Sequence, residues 1–152
     1  MSHVLTVQGI IIRDLDALAE ACRTLGLELV RVQTTHRWYG RYLGDYVDAD
    51  ATGQLRRDPA TFGHCDHAIR SVGQPSAYEI GLCRRTDGQG YDLVYDRFMG
   101  GHGLEAKAGK GLARVKQEYA AAVATRILTA QRLQWTRHVQ ADGRIIIQAV
   151  SR

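Results

Sequence analysis

Apolar residues recur along the chain with two different periods, and they predict strands alternating with helices. Residues 4–13 are rich in Val, Ile and Leu, which indicates a buried central strand. Asp14 then provides a helix N-cap, apolar residues repeat at helical spacing, and Gly26 ends the helix. Residues 27–35 alternate apolar and polar side chains, as a second strand does. The chain is therefore expected to open as a β-α-β unit.

The middle of the chain predicts a long excursion followed by more strands. Residues 36–63 lose the regular pattern and mix Gly, Asp, Arg and aromatic residues, and a loop of this length usually has a function or contains short elements of its own. Strand patterns return at residues 65–72, 78–85 and 90–98. The last two flank an Asp87-Gly88 turn, which permits the positive φ of a tight hairpin.

The last third predicts a glycine-rich loop, a long helix and a second hairpin. Residues 99–111 contain five glycines, and residues 112–131 place apolar side chains at helical spacing. Two strand patterns then flank Asp142-Gly143. The order β-α-β-β-β-β-α-β-β predicts an α+β fold with a single mostly antiparallel sheet and two helices packed on one face. All 152 residues are expected to form one domain.

Composition narrows the classes of protein. The chain is 45% hydrophobic and 24% charged, which is typical of a globular protein. No apolar run approaches the roughly 20 residues of a membrane span, and the first residues lack the pattern of a secretory signal. Three widely spaced cysteines do not suggest a disulfide framework. We therefore expect a cytoplasmic protein that does not bind membranes.

Positive charge is concentrated near the C-terminus. Residues 1–100 contain 11 Lys and Arg against 13 Asp and Glu, whereas residues 101–152 contain 9 against 3. The net charge of +4 is therefore the sum of −2 and +6. Such asymmetry predicts a basic surface that binds nucleic acid, an acidic protein or an anionic ligand, although it is also compatible with a merely solvated face.

Two groups of residues are candidates for binding. Aromatic rings and arginines interleave between residues 37 and 46, where they could stack on bases and neutralise phosphates, or could instead cover an open face of the sheet. Basic residues near position 110 have helical spacing and would form a stripe whose charge opposes the helix dipole, unless they lie in the loop. The candidate binding residues are Arg37, Trp38, Tyr39, Arg41, Tyr42, Lys107, Lys110 and Arg114.

A third group could bind a metal. His64, Cys65 and His67 provide nitrogen and sulfur ligands that suit zinc. In an extended strand, however, neighbouring residues point to opposite faces, so at most two of them can share one ion without a distant ligand. The alternative is a strand start with a buried Cys65. A thiol activated by an imidazole could also act as a nucleophile, but no complete catalytic set is recognised.

Several segments of the chain resemble one known family. The more specific segments are Tyr78-Glu79-Ile80-Gly81 and Lys116-Gln117-Glu118-Tyr119-Ala120, and the central Trp38-Tyr39-Gly40-Arg41 accompanies them. They are similar to the domain-of-unknown-function family 1257, which includes a plastid open reading frame and homologues in cyanobacteria, other bacteria and phages. The longer central loop resembles the phage and bacterial branch. The resemblance extends over nearly the whole chain and implies a small α+β domain, in bacterial cytoplasm or plastid stroma, without an established activity.

Three classes of function follow from these patterns. The first is a non-catalytic binding or adaptor protein that uses the aromatic/Arg loop and the basic C-terminal surface to hold a protein partner or nucleic acid. The second is a small nucleic-acid-binding protein of phage or bacterial origin, whose affinity would fall steeply with salt. The third is a metal-dependent accessory protein or enzyme that uses His64, Cys65 and His67. The sequence leaves the oligomeric state open.

Overall fold

The computed structural model describes residues 2–150, and it has a mixed helix and strand content. The strands are β1 Val4–Thr6, β2 Leu27–Arg31, β3 His67–Ser71, β4 Ile80–Arg84, β5 Tyr91–Asp96, β6 Gln134–Val139 and β7 Ile145–Val150. The helices are α1 Leu15–Thr24, α2 Met99–His102, α3 Leu104–Ala108 and α4 Ala113–Ala130, with 3-10 turns at Pro59–Thr61 and Lys110–Leu112. The predicted α+β class is confirmed.

The main sheet contains five strands in the order β1-β5-β4-β3-β2, and every neighbouring pair is antiparallel. The two substantial helices, α1 and α4, pack on one face of it. Their apolar sides and the inward residues of the sheet form the main core, which includes Leu18, Cys22, Leu82, Leu93 and Val115. None of the described helices has the length and apolar character needed to cross a bilayer.

The helices follow the sequence signals closely. The carboxylate of Asp14 accepts a hydrogen bond of 3.0 Å from the amide of Ala17, as an N-cap does. The chain leaves α1 through Gly26, whose φ of +74° is readily adopted only by glycine. The long helix predicted at residues 112–131 is α4. Both helix predictions are confirmed.

The N-terminal strand differs from its prediction. Residues 4–13 were expected to form a central strand, but β1 is three residues long and lies at the edge of the sheet. The ladder ends where the Val7 amide donates to the Leu93 carbonyl, and resumes where the Ile12 amide donates to the Tyr91 carbonyl. Residues 8–11 loop out between these points, with Gly9 at φ +78°. We call them the bulge loop.

The C-terminal hairpin also differs from its prediction. Its pairing around Asp142-Gly143 is confirmed, but β6 and β7 form a separate two-stranded sheet rather than extending the main one. The chain reverses after α4 through Arg132, which has a φ of +58°. The Leu133 amide then donates to the carbonyl of Leu128, so that the hairpin lies beside α4. We call residues 134–150 the arm.

The predicted excursion, residues 36–63, is folded across the face of the sheet that the helices leave open. Trp38 and Phe62 pack against Val4, Cys83 and Val94, and together they form a second, smaller core. The excursion contains a short 3-10 turn and an isolated bridge, but no named strand. The sheet is therefore covered on both faces, by helices on one side and by this excursion on the other.

A buried carboxylate connects the excursion to the sheet. Asp96, at the end of β5, is completely inaccessible to solvent. Its oxygens accept hydrogen bonds from the backbone amides of His3 at 2.8 Å, Phe98 at 3.0 Å and Tyr39 at 3.1 Å. One side chain thus joins the N-terminal segment, the turn after β5 and the excursion.

Candidate functional site

The structure separates the three candidate zinc ligands. The Nδ1 atom of His67 accepts a hydrogen bond of 2.8 Å from the amide of Val32, and its Nε2 atom lies 3.4 Å from the hydroxyl of Tyr91. His64 is exposed. Within residues 2–150 no three metal-capable side chains converge. The candidate metal site of His64, Cys65 and His67 is therefore not formed within residues 2–150.

Cys65 has the environment of a structural thiol. Its Sγ atom donates to the carbonyl of Gln33 at 3.2 Å, and burial raises its pKa to about 12. Burial likewise raises the pKa of Cys83, whose Sγ atom donates to the carbonyl of His64 at 3.4 Å. Because the thiolate is the reactive form, these positions do not favour a nucleophile at neutral pH.

The aromatic residues of the excursion are used largely in packing. Trp38 and Tyr42 both meet Phe62 edge-on, with ring centroids 5.7 and 5.5 Å apart. Tyr39 is 40% exposed, and its amide is bound to Asp96. The packing alternative for Trp38 and Tyr42 is therefore the one that the structure adopts.

The arginines of the excursion differ from each other. The guanidinium of Arg37 donates to the carbonyls of Pro75 and Ala77, so it connects the excursion to the turn before β4. Arg41 is exposed. Of this predicted stacking platform, only Tyr39 and Arg41 present accessible side chains without such a packing or bridging role.

The predicted basic stripe is broken. Lys107 lies in α3, Lys110 in a 3-10 turn and Arg114 in α4, and the helical path is interrupted at Gly109, Gly111 and Leu112, all with positive φ. The ammonium of Lys107 is also bound by the carbonyls of Gly26 and Val72. Lys110 and Arg114 remain exposed. Of the two alternatives, one continuous helical stripe is therefore not formed.

The arm is the most exposed element of the chain. All six residues of β6 are exposed, and four of the six residues of β7 are exposed as well. The exposed side chains include large apolar groups on both faces of the arm. Trp135 and Val139 lie on the face that meets α4, and Ile146 and Val150 lie on the opposite face, with Leu133 just before the arm.

Polar contacts attach one face of the arm to α4. The guanidinium of Arg137 donates to both carboxylate oxygens of Glu118, at 2.7 and 3.0 Å. The indole nitrogen of Trp135 donates to the hydroxyl of Thr129 at 3.1 Å. At the tip, the Gln117 side chain donates to the carbonyl of Gly143 at 2.8 Å. These contacts orient the arm without burying it.

The outer edges of the arm keep unpaired backbone groups. The Gln140 amide donates to the carbonyl of Arg144, so this pair is a hydrogen-bonded pair, and the regular register makes every second pair beyond it a non-hydrogen-bonded one. Residues of non-hydrogen-bonded pairs direct their amides and carbonyls away from the partner strand. These pairs are Trp135 with Ala149, Arg137 with Ile147, and Val139 with Ile145.

The structure also contains a cavity that the sequence did not predict. It lies at the bulge loop and is bordered by Thr6, Asp92 and several arginines. One signal could have revealed it, because the Gln8-Gly9 pair interrupts an otherwise apolar strand pattern, and a glycine inside such a pattern suggests a bulge. The local sequence pattern does not show that residues from distant segments, such as Arg56 and Asp92, also border this cavity.

Comparison of the chain with known proteins identifies no relative. No protein-family model, characterised protein or solved structure matches this chain. The resemblance to the domain-of-unknown-function family 1257 therefore stays a prediction, and the function must be inferred from the chain's own surfaces.

Proposed function

We propose that the chain is a non-catalytic binding protein whose arm receives an acidic, extended segment of a protein partner as an added strand. One observation carries the proposal: among residues 2–150, β6 and β7 pair only with each other. Both outer edges therefore present backbone donors and acceptors that an extended chain could satisfy, as in other cases of strand addition.

The side chains of the arm favour a protein partner over a nucleic acid. Ile146 and Val150 are large, apolar and exposed on the face of the arm that points away from α4. An added strand is recognised through every second one of its side chains, which apolar groups on the receiving protein can contact. Nucleic acids, in contrast, are bound mainly through contacts with phosphates. The packing of Trp38 and Tyr42 within the excursion removes two of the rings that would have stacked on bases.

The charge at the base of the arm, where Arg132 precedes β6, favours an acidic partner. Residues 131–150 contain Arg132, Arg137 and Arg144, while Asp142 is the one acidic residue in this range. Arg137 is already paired with Glu118, and Arg144 is paired with Asp142 at the tip. Arg132 and the remaining excess of cations in the C-terminal third attract acidic segments and repel basic ones.

The proposal is tested with short β-branched peptides in an acidic and a basic set. We expect acidic peptides to bind the intact protein at the outer edge of β7, with an affinity that a proline at Ala149 abolishes. Ala149→Pro removes an outward amide without breaking a bond inside the arm. Ala149→Ser is the matched control, because it changes the side chain and keeps the amide.

Two results would reject this mode of binding. One is equal peptide affinity in Ala149→Pro and Ala149→Ser. The other is an absence of peptide binding together with tight binding of a single-stranded oligonucleotide that weakens steeply between low and moderate salt, which would establish the nucleic-acid alternative.

A further inference from the structure

A cavity with a volume of about 590 Å³ opens at the bulge loop. Its walls come from distant parts of the sequence, because β1, the excursion and the β4–β5 hairpin meet here. It is bordered by the bulge loop, Thr6, Arg13, Arg56, Arg85 and Asp92. Its volume lies within the range of roughly 300–1,000 Å³ that is usual for small-molecule sites.

One buried polar atom at this cavity lacks a partner. Thr6 is only 8% exposed, and its Oγ1 atom makes no hydrogen bond to the described residues. The Thr6 amide donates a hydrogen bond of 2.7 Å to a carboxylate oxygen of Asp48. This bond fixes the backbone of Thr6, but the hydroxyl has no partner among residues 2–150. Buried hydroxyls normally have a partner. A ligand group that enters from the cavity and reaches this buried hydroxyl would supply one.

The charges around the cavity are unevenly matched. Arg56 pairs with Asp48 at 3.0 Å, and Arg85 pairs with both Asp92 and Asp87 at 2.7 Å. These pairs hold the two guanidinium groups in fixed positions.

Arg13 forms no ion pair within residues 2–150 and influences Asp87 only from a longer distance. A second cation lies behind the bulge loop, where the Nζ atom of Lys116 is 3.8 Å from the Cβ position of Gly9. An anion at the rim would therefore meet a positive charge that is not already neutralised.

The backbone of the bulge loop adds further donors. The amides of residues 8–11 lie outside the β1–β5 ladder, which ends at Val7 and resumes at Ile12. Such looped amides commonly bind anions when they point into a concave surface. The cavity is thus bordered by uncompensated positive charge, by amides outside the ladder and by the unpartnered hydroxyl of Thr6. It is also bordered by the carboxylate of Asp92, which Arg85 and Arg57 hold in place.

We propose that this cavity binds a small hydroxylated molecule that carries a phosphate or carboxylate group. The anionic group faces Arg13 and the bulge loop, while its hydroxyls face Thr6 and Asp92. Guanidinium groups recognise phosphate and carboxylate by the same paired geometry, so the two anions share one recognition chemistry. Asp92 selects hydroxyl donors over a bare anion.

The test titrates the intact protein with ribose 5-phosphate, gluconate, inorganic phosphate and ribose, and follows the amide resonances of residues 8–11 by NMR. Saturable shifts are expected with ribose 5-phosphate or gluconate at millimolar concentrations, and whichever binds more tightly identifies the anion. Ribose and inorganic phosphate should bind more weakly, because each lacks half of the recognised groups. Binding to none of the four probes would overturn the proposal.

Two variants locate the site. Arg13→Gln and Thr6→Val should each weaken binding by about tenfold, the loss expected from one charged or buried hydrogen bond. Arg23→Gln is the charge-matched control, because Arg23 is exposed at the far end of α1, about 15 Å further along the helix. It should bind like the unmodified protein.

Thr6→Val keeps the test decisive if Arg13→Gln folds poorly. Valine has nearly the same shape, and it removes a buried hydroxyl that has no partner, so the free protein should melt at a higher temperature while ligand affinity falls. Thr6→Val with unchanged affinity, or an equal loss in all three variants, would show that ligands meet only a generally basic surface.

Discussion

The imidazole of His36 lies directly against the backbone of Gly81: a Cβ atom built on Gly81 would stand 2.6 Å from the Cδ2 atom of His36. The same Cβ atom would lie 3.1 Å from the Cβ atom of Cys65. Gly81 is not in a left-handed conformation, so its lack of a side chain is needed for space alone. The excursion begins at His36, and its imidazole leaves no room for a methyl group at Gly81 of β4.

Replacing Gly81 with alanine should destabilise the protein through this overlap. Overpacking of a closely packed site typically costs about 1–3 kcal/mol of unfolding free energy, measured here by urea denaturation. The control is the double variant His36→Ser with Gly81→Ala. It should recover part of the loss, because the added methyl group then occupies space left by the imidazole. A Gly81→Ala protein as stable as the original would contradict the contact.

The stability of the fold should depend on pH through His36. Burial lowers the pKa of His36 below the ordinary 6.5, and the nearby carbonyl of Glu79 and the charges of Glu79 and Asp96 do not offset this effect. The unfolded chain therefore binds a proton at a higher pH than the folded chain does. The stabilisation from the neutral imidazole is fully present above pH 6.5 and is lost as the pH falls below it.

This pH dependence is measured as the free energy of unfolding in urea at pH 7.5 and 5.5. His36→Phe replaces the ring with one of similar size that does not titrate, so its stability should change less over the same interval. Both ring nitrogens of His36 lack hydrogen bonds to the described residues, and the apolar ring leaves none unsatisfied. Identical pH profiles for the two proteins would show that His36 does not contribute.

Removal of the Asp96 carboxylate should loosen three segments at once. Asp96→Ala leaves the amides of His3, Tyr39 and Phe98 without an acceptor in a buried site, at a cost of about 3 kcal/mol or more. Asp96→Asn keeps one oxygen and should lose roughly half as much. Chemical denaturation compares the two variants, and equal losses would show that the individual hydrogen bonds contribute little.

The position of the arm should depend on the Arg137–Glu118 pair. The Arg137 and Glu118 side chains are 33% and 12% exposed, and both carboxylate oxygens are bound, so the pair is better shielded than an ordinary surface ion pair. Arg137→Ala should raise amide hydrogen exchange throughout the arm about fivefold, a change of about 1 kcal/mol. The main sheet should be unaffected. Arg144→Ala is the control, because Arg144 pairs with Asp142 at the exposed tip.

Local signals in the sequence account for much of the fold. The cap at Asp14, the stop at Gly26 and the Asp-Gly turns are short-range features, and α1 and both hairpins follow from them. The second long helix, α4, follows from its apolar spacing, because it has no side-chain cap within residues 2–150. The position of β1 could not be predicted from local signals. The apolar run of residues 4–13 forms only a short edge strand, because the chain turns outward at Gly9. The separation of the arm did not follow either, since a hairpin pattern specifies its own pairing and not its neighbours.

The candidate site was harder to anticipate than the fold. Trp38 and Arg37 have the composition of a binding loop, yet their role depends on Phe62 and on the turn at Pro75, which only the folded chain brings near. The same holds for Thr6 and Arg13, which are unremarkable in sequence and meet at one cavity only because of the bulge loop. Side chains that act together across long sequence separations carry no local pattern.

The free edges of the arm also affect how copies of the chain behave in concentrated solution. Two arms could pair edge to edge, but residues 131–150 contain Arg132, Arg137 and Arg144 against one acidic residue, Asp142. Two copies therefore have the same sign of charge here and repel. That repulsion reaches about 10 Å at 0.1 M salt and only about 3 Å at 1 M. Colloidal stability should therefore decline as ionic strength rises. Light scattering should detect self-association at a salt concentration at which a protein with a uniformly polar surface stays monomeric.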